Sequence, residues 1–421
     1  MINYSKLSYQ IKRKLSTFSK KITKSISRPK AKFVFQMIYG LLESKSVHLS
    51  NISRGLNENI SLKKTIERIS RNLKKFDETL KINENYINEI SSYINNDTIF
   101  CVDGSEIVKH HTVSFEALDR VRDGDTGKIE DGYNVFEIAA LTNEYKMPFS
   151  VYSKIYSSKE KDFKSENDET FKGLNFLSEH FGKLGVKALD RGYDDNRFYT
   201  YFTEQEESFV IRAKKNRNVI HKGKVINILK LANKYRGKYS TLVKNKEGKV
   251  TKCKFSYAPI SLPSLPDKKL TLVIVRGFGK IPMMLISDIE PEDKRLTEAI
   301  IKVYLKRWRI EEYFRFKKQQ FDFEDIRVRS LNSIRTMNLL LSIAIGFIAM
   351  LSKTKKENLL SLQILELSKR IYDIPEFDYY ALVDGIYAIL KKARSGIEKF
   401  IPKPLYKIKQ SQQLVIFQAF L

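Results

Sequence analysis

In the stretch Tyr304-Leu-Lys-Arg307-Trp-Arg-Ile-Glu311-Glu-Tyr-Phe-Arg-Phe-Lys-Lys318, the polar side chains are spaced for one face of a helix. At about 100° per residue, Tyr304, Arg307, Glu311 and Lys318 fall within roughly 60° of arc, so one carboxylate shares its stripe with two cations and a phenol. An amphipathic surface helix also gathers charge on one side. What separates a site from a solvated face is whether other carboxylates can reach Glu311.

Two such carboxylates stand upstream. From about residue 98 the apolar pattern changes: Thr98-Ile-Phe-Cys-Val102 reads as a buried strand ending at Asp103-Gly-Ser105. Strands over 133–141 and 148–156 follow, then a helix over 169–184. Next come a strand at Val186-Lys-Ala-Leu189, a sharp turn at Asp190-Arg-Gly-Tyr193, a helix over 196–204 and a strand at Ser208-Phe-Val-Ile-Arg212. Three strands able to pair as a meander, followed by alternating helix and strand, predict a mixed α/β sheet with helices packed on it. Asp103 and Asp190 are both expected at the C-terminal ends of their strands.

Singly, each carboxylate has a plainer account: Asp103-Gly as a turn, Asp190 as a helix cap, Glu311 as a surface charge. Gathered round one point, three anionic oxygen donors repel one another unless cations occupy the cluster, and Mg²⁺ or Mn²⁺ are the usual occupants of all-oxygen sites. Two such ions about 3.5–4 Å apart activate a water or a 3′-hydroxyl for in-line attack on a phosphodiester.

Tyr304, Arg307, Glu311 and Lys318 match, gap for gap, the Y-x2-R-x3-E-x6-K signature of bacterial insertion-sequence DDE transposases, and the chain resembles that family from about residue 98 to 329. Asp190-Arg-Gly-Tyr193 and Phe209-Val-Ile-Arg-Ala-Lys214 strengthen the resemblance. It implies a ribonuclease H-like core with a β-rich insertion, and Asp103, Asp190 and Glu311 as catalytic, metal-binding residues. It further implies that Tyr304 and Arg307 grip the DNA backbone and a displaced base, that Lys318 contacts DNA, and that Arg212 and Lys214 approach the cleaved end. The implied reaction is cut-and-paste transposition. Water nicks one strand, the freed 3′-hydroxyl attacks the other to form a hairpin, a second water opens it, and the 3′-end joins target DNA.

One departure concerns the flipped base. Some family members stack it on a Trp in the insertion, whereas Trp308 is the sole Trp here and lies in the signature. The platform then falls to Tyr235, Tyr239, Phe255, Tyr257, Phe278 or Trp308 itself. Glu312 could ligate metal in place of Glu311, but it lies about 100° round the helix. His110 and His111 read as solvated loop residues. Asp119, Asp123, Asp125 and Asp131 with their glycines fail the calcium-loop spacing and read as a hairpin.

Composition agrees with a polyanionic partner. Lys and Arg outnumber Asp and Glu by 76 to 49, for a net charge of +27 and a pI near 9.7. Charge spread along the chain with aromatics between favours double-stranded DNA over a membrane. The first forty residues hold ten Lys or Arg and no acid, and residues 50–73 read as a helix-turn-helix with a basic second helix behind a Ser cap. Two cysteines without metal spacing, and no signal peptide, point to a cytoplasmic protein. The apolar run 336–352 is short for a span and reads as a buried helix.

The expected organisation is a basic helical DNA-binding region (1–90), the first part of the core (91–216), a β-rich insertion (217–290), a signature helix completing the core (291–330) and a helical C-terminal region (331–421) suited to dimerisation. Two transposon ends must be paired, so a homodimer in a synaptic complex is the expected assembly. The competing readings are a non-catalytic DNA-binding regulator derived from a transposase, and a structure-specific nuclease on the same core.

Overall fold

The computed structural model describes residues 2–109, 114–142, 147–244, 250–352, 359–370, 377–398 and 400. His110, His111, the turn glycine Gly248 and the last stretch of the C-terminal region lie outside them.

Leu7, Ile11, Leu15, Phe18 and Ile22 recur every three or four residues and are buried, so Tyr4–Ile22 folds as helix α1 behind an Asn3 cap. Helices α2 (Arg28–Ser44), α3 (Leu49–Leu56), α4 (Leu62–Lys74) and α5 (Thr79–Ile90) follow. Between α3 and α4 the chain turns at Asn57, which takes a left-handed conformation at φ 51°. The Ser61 hydroxyl caps α4 by accepting from the Lys64 amide, and Lys63, Lys64, Arg71 and Lys74 remain exposed.

The sheet begins with β1 (Ile99–Val108), β2 (Asp119–Arg122), β3 (Ile129–Leu141) and β4 (Phe149–Tyr156). β3 is antiparallel to β1 on one edge, and to β2 and β4 along the other. After α6 (Glu166–Phe181), β5 (Val186–Leu189) lies parallel to β1, and after α7 (Asn196–Glu204), β6 (Phe209–Arg212) lies parallel to β5. The spatial order β4-β3-β1-β5-β6, with β3 alone reversed, is the ribonuclease H-like arrangement. The acidic β2–β3 connection is a hairpin, as read: Asp123 accepts from the Asp125 amide and the Thr126 hydroxyl.

Two expectations need correction. β1 does not end at Asp103 but runs on to Val108, because residues 104–108 find ladder partners at 132–136 of β3. The expected β-rich insertion continues the core sheet. It comprises β7 (Asn218–His221), β8 (Lys224–Asn227), α8 (Ile228–Asn233), β9 (Tyr239–Lys244), β10 (Val250–Leu262), β11 (Leu265–Arg276) and β12 (Met283–Ser287). β12 pairs antiparallel with β6, Leu285 opposite Arg212, so the core's edge strand is covered and twelve strands among the described residues form one sheet. Pro259 and Pro266 lie within β10 and β11.

The signature stretch is also not one helix. α9 (Lys294–Lys306) stops and α10 (Arg309–Phe321) starts after a tightened turn. There the Arg307 amide donates to the Tyr304 carbonyl and the Ile310 amide to the Arg307 carbonyl, the i→i+3 pattern. Tyr304 thus sits on α9, while Glu311 and Lys318 sit on α10.

α11 (Leu331–Ser352) is the apolar helix anticipated from 336–352. It is long and apolar enough to cross a membrane, yet 83% of its most apolar window is buried inside the fold. It packs on β4, α2 and α4, and the Asn332 side-chain amide donates to the carbonyls of Lys74 (2.9 Å) and Phe76 (3.1 Å) just beyond α4. α12 (Leu359–Leu367) and α13 (Tyr379–Ala393) complete the described chain. A second, smaller apolar cluster under the insertion joins Val210, Phe255, Val273, Leu285, Ile301 and Tyr304.

Candidate active site

Register alone brings the first two carboxylates together. In the parallel ladder Val102 pairs with Leu189, and the next residue on each strand is an aspartate, Asp103 and Asp190. Neighbouring strands lie about 4.8 Å apart. β5 ends at Leu189 because Asp190 turns the chain: its carboxylate accepts from the Gly192 amide at 2.6 Å. A Cβ at Gly192 would stand 2.9 Å from that carboxylate oxygen, so glycine keeps the turn open.

The third carboxylate arrives through Arg307. One terminal nitrogen of its guanidinium donates to Asp103 Oδ2 and the other to Glu311 Oε1 at 2.6 Å, with the arginine side chain only 10% exposed. Burial pushes the Asp103 carboxyl up to about 6; Arg307 opposes the shift, and the charges of Asp190 and Glu311 add to it. Burial works against the charge on Arg307, but Asp103, Tyr304, Glu311 and Asp190 outweigh it and hold the guanidinium charged. The Tyr193 phenol, well above its usual range through burial and then through Asp103 and Asp190, belongs to the same neighbourhood. β1, the end of β5 and the α9–α10 junction therefore converge on one point.

The remaining signature residues are distributed round it. Tyr304 is buried beneath the insertion strands, its ring centroid 6.0 Å from the Arg307 guanidinium. Lys318 pairs with Glu106 at 2.8 Å and Glu324 at 3.0 Å. Arg212 is half-buried at the end of β6 and Lys214 is exposed beyond it. The Lys214 amide donates to Asp194 Oδ2 at 2.6 Å. Asp194 is buried, accepts from the Tyr199 hydroxyl at 2.7 Å and pairs with Arg217, so the turn after Asp190 and the loop after β6 share one anchor.

Glu312 turns the other way. It is buried, accepts from the Tyr380 hydroxyl at 3.0 Å and pairs with Arg315, which leaves Glu311 as the carboxylate on the Asp103 side. Among the aromatic candidates, Phe255 is fully buried and offers no face. Tyr239 stacks on Tyr257 at 11° between planes, Phe278 is exposed, and the Arg309 guanidinium lies 4.8 Å from the Trp308 ring.

Among the described residues, no three carboxylate, histidine or cysteine side chains are gathered closely enough to hold one ion as they stand. The donor chemistry nevertheless suits a hard divalent cation. Asp103, Asp190 and Glu311 offer only oxygen, and Asp190 and Glu311 both act on Asp103 as neighbouring negative charges. Arg307 was expected to bind DNA; its pairing with Glu311 follows the i,i+4 spacing, but its contact with Asp103 had no signal, because a helical stripe does not show which strand it faces.

Residues 94–347 match the family model described as the transposase DDE domain. Among solved structures, the cryo-EM structure of a piggyBac transposase synaptic complex with hairpin DNA is similar at a TM-score of 0.46 and 10% identity, over 93% of this chain and 80% of that one. No curated protein matches the chain.

Proposed function

The chain belongs to the transposase DDE domain family, and on that premise we propose that it cleaves transposon ends and joins them to target DNA in a metal-dependent, cut-and-paste reaction that passes through a hairpin. The reading rests above all on one observation: Asp103 and Glu311 share the Arg307 guanidinium while Asp190 is the next residue in register beside Asp103.

Asp103, Asp190 and Glu311 would hold Mg²⁺ or Mn²⁺, two ions in all. When bound, these supply activation of the attacking hydroxyl and neutralisation of charge at the phosphate. The chain's own cations do the positioning. Arg307 neutralises the carboxylates and then the DNA backbone, while Arg212, Lys214 and Lys318 approach the cleaved end. Tyr304, beside Arg307, borders the space for a displaced base. The partner is double-stranded DNA at transposon ends and target, which the net charge of +27 favours. Further parts of the proposal are α4 as a groove reader, residues 331–421 as a dimerisation region, a homodimer pairing two ends, and action in the cytoplasm at the nucleoid.

Purified protein should nick end-containing duplex DNA when Mg²⁺ is supplied and join the freed 3′-end to a second duplex. Asp103→Ala, Asp190→Ala and Glu311→Ala should each abolish both steps while DNA still shifts on a gel. Cleavage that survives all three substitutions would overturn the site. Hydrolysis without joining would point to a nuclease, and binding without either step to a regulator.

A further inference from the structure

A row of polar residues crosses three strands on one face of the sheet. Asp103 of β1 is opposite Glu137 of β3, and Glu137 is opposite Ser153 of β4. Residues directly opposite in antiparallel strands point to the same face, so all three look toward the helices packed there. Glu137 is unexpected in that place, the one charge within Val135-Phe-Glu-Ile-Ala-Ala-Leu141 and fully buried.

Helix α10 meets this row twice. Near its start Glu311 meets Asp103 through Arg307, which precedes the helix and donates to both carboxylates; six residues beyond Glu311, and about 9 Å further along the axis, Lys317 engages Glu137. The Lys317 ammonium donates to Glu137 Oε2 at 3.1 Å, to Asn338 Oδ1 of α11 at 2.7 Å and to Ser342 Oγ at 3.2 Å. Ser153 Oγ in turn donates to Glu137 Oε2 at 2.8 Å and accepts from the Asn338 amide at 2.7 Å. Lys317, Glu137, Ser153 and Asn338 thus close a ring that ties α10, β3, β4 and α11 together, with the lysine and glutamate side chains 2% and 0% exposed.

A buried ion pair returns little net stability compared with apolar residues of the same volume, but its geometry is demanding. Apolar packing would let α10 slide or roll by fractions of an ångström; a closed ring of directional bonds does not. We propose that this ring positions the active site: it fixes the height and rotation of α10 against β3, and thereby sets Glu311 against Asp103. The inference rests on the reading of Asp103, Asp190 and Glu311 as the metal-holding set. Lys317 and Glu137 are positioning residues and touch no reactant.

The test is Mn²⁺ binding to the full chain without DNA, followed by calorimetry and by electron paramagnetic resonance of free Mn²⁺. In the double variant Glu137→Met/Lys317→Met, apolar groups of similar volume replace the pair. It should fold, as read by circular dichroism, yet bind Mn²⁺ about tenfold more weakly, the scale seen when groups supporting metal ligands are removed. Should it fail to fold, Ser153→Ala/Asn338→Leu opens the ring while keeping the ion pair, and a weakening of about tenfold is expected on the same grounds. A folded variant of either kind with wild-type affinity overturns the proposal. Asp103→Ala and Glu311→Ala serve as controls. If they too bind as wild type, the metal-site reading falls and the positioning role with it; if they abolish binding and the ring variants do not alter it, only the positioning role falls.

Discussion

Asp103 and Glu311, 208 positions apart in sequence, hold the same guanidinium, that of Arg307. Two carboxylates that would otherwise repel are thereby brought together, so the metal-free site carries its own counter-charge.

Arg307→Ala should therefore destabilise the metal-free protein. Removing one partner of a buried charge cluster costs about 3–5 kcal/mol, and the site's partial exposure lowers the expectation to about 2–3 kcal/mol. Mn²⁺ should restore more stability to the variant than it adds to wild type. Denaturant unfolding with and without Mn²⁺ measures both, and a variant as stable as wild type without metal would refute the counter-charge role.

Asp103 gives a pH signature. Its carboxyl is raised from 3.8 to about 6 in the folded protein, so the fold binds that proton more tightly than the unfolded chain. The resulting stability is complete below about pH 4 and is lost as pH rises through about 6, a span worth up to about 3 kcal/mol. Asp103→Asn cannot titrate. The stability difference between wild type and this variant, measured without metal, should shift against wild type between pH 4 and pH 7 and stay flat above.

The adjacent glutamates should separate cleanly. Glu311→Ala is expected to abolish cleavage with little loss of fold, whereas Glu312→Ala should retain activity but lose about 1–3 kcal/mol by leaving the buried Tyr380 hydroxyl without its acceptor. Paired unfolding curves and cleavage rates decide it; the reverse assignment would place the wrong carboxylate in the site.

Asp194→Ala should cost about 3–5 kcal/mol, because Arg217 and the Lys214 amide lose a buried acceptor together. DNA-end affinity, followed by fluorescence anisotropy in the folded fraction, should fall as well, since Lys214 is no longer held beside the turn that carries Asp190.

Much of the site was legible in the chain itself. Asp190 follows a short apolar strand and opens a turn, and Tyr304, Arg307, Glu311 and Lys318 keep strict gaps, which marked them as candidates that the family resemblance then joined. The break after Lys306 was not legible: Arg307 and Trp308 keep right-handed helical dihedrals, φ −54° and −57°, and neither is Gly or Pro. The run of β1 past Asp103 was hidden for a different reason. Asp103-Gly-Ser105 carries turn propensity, and only pairing with residues more than twenty-five positions away makes it strand. The joining of β12 to β6 is likewise a long-range event with no local mark. Lys317 looked like half of a Lys-Lys doublet, yet one of the pair is buried and the other partly open, a difference of one helical step.

The grip of Asn332 on the backbone just beyond α4 carries a last consequence. α11 runs from that contact to Asn338 and Ser342 over the sheet that carries Asp103, a strut between the basic N-terminal helices and the candidate site. If α4 reads the groove as proposed, a duplex would be measured as well as recognised, as by a ruler. Lengthening the spacer between the recognised bases and the cleaved phosphate by one base pair should leave binding intact and abolish cutting, rather than shift the cut.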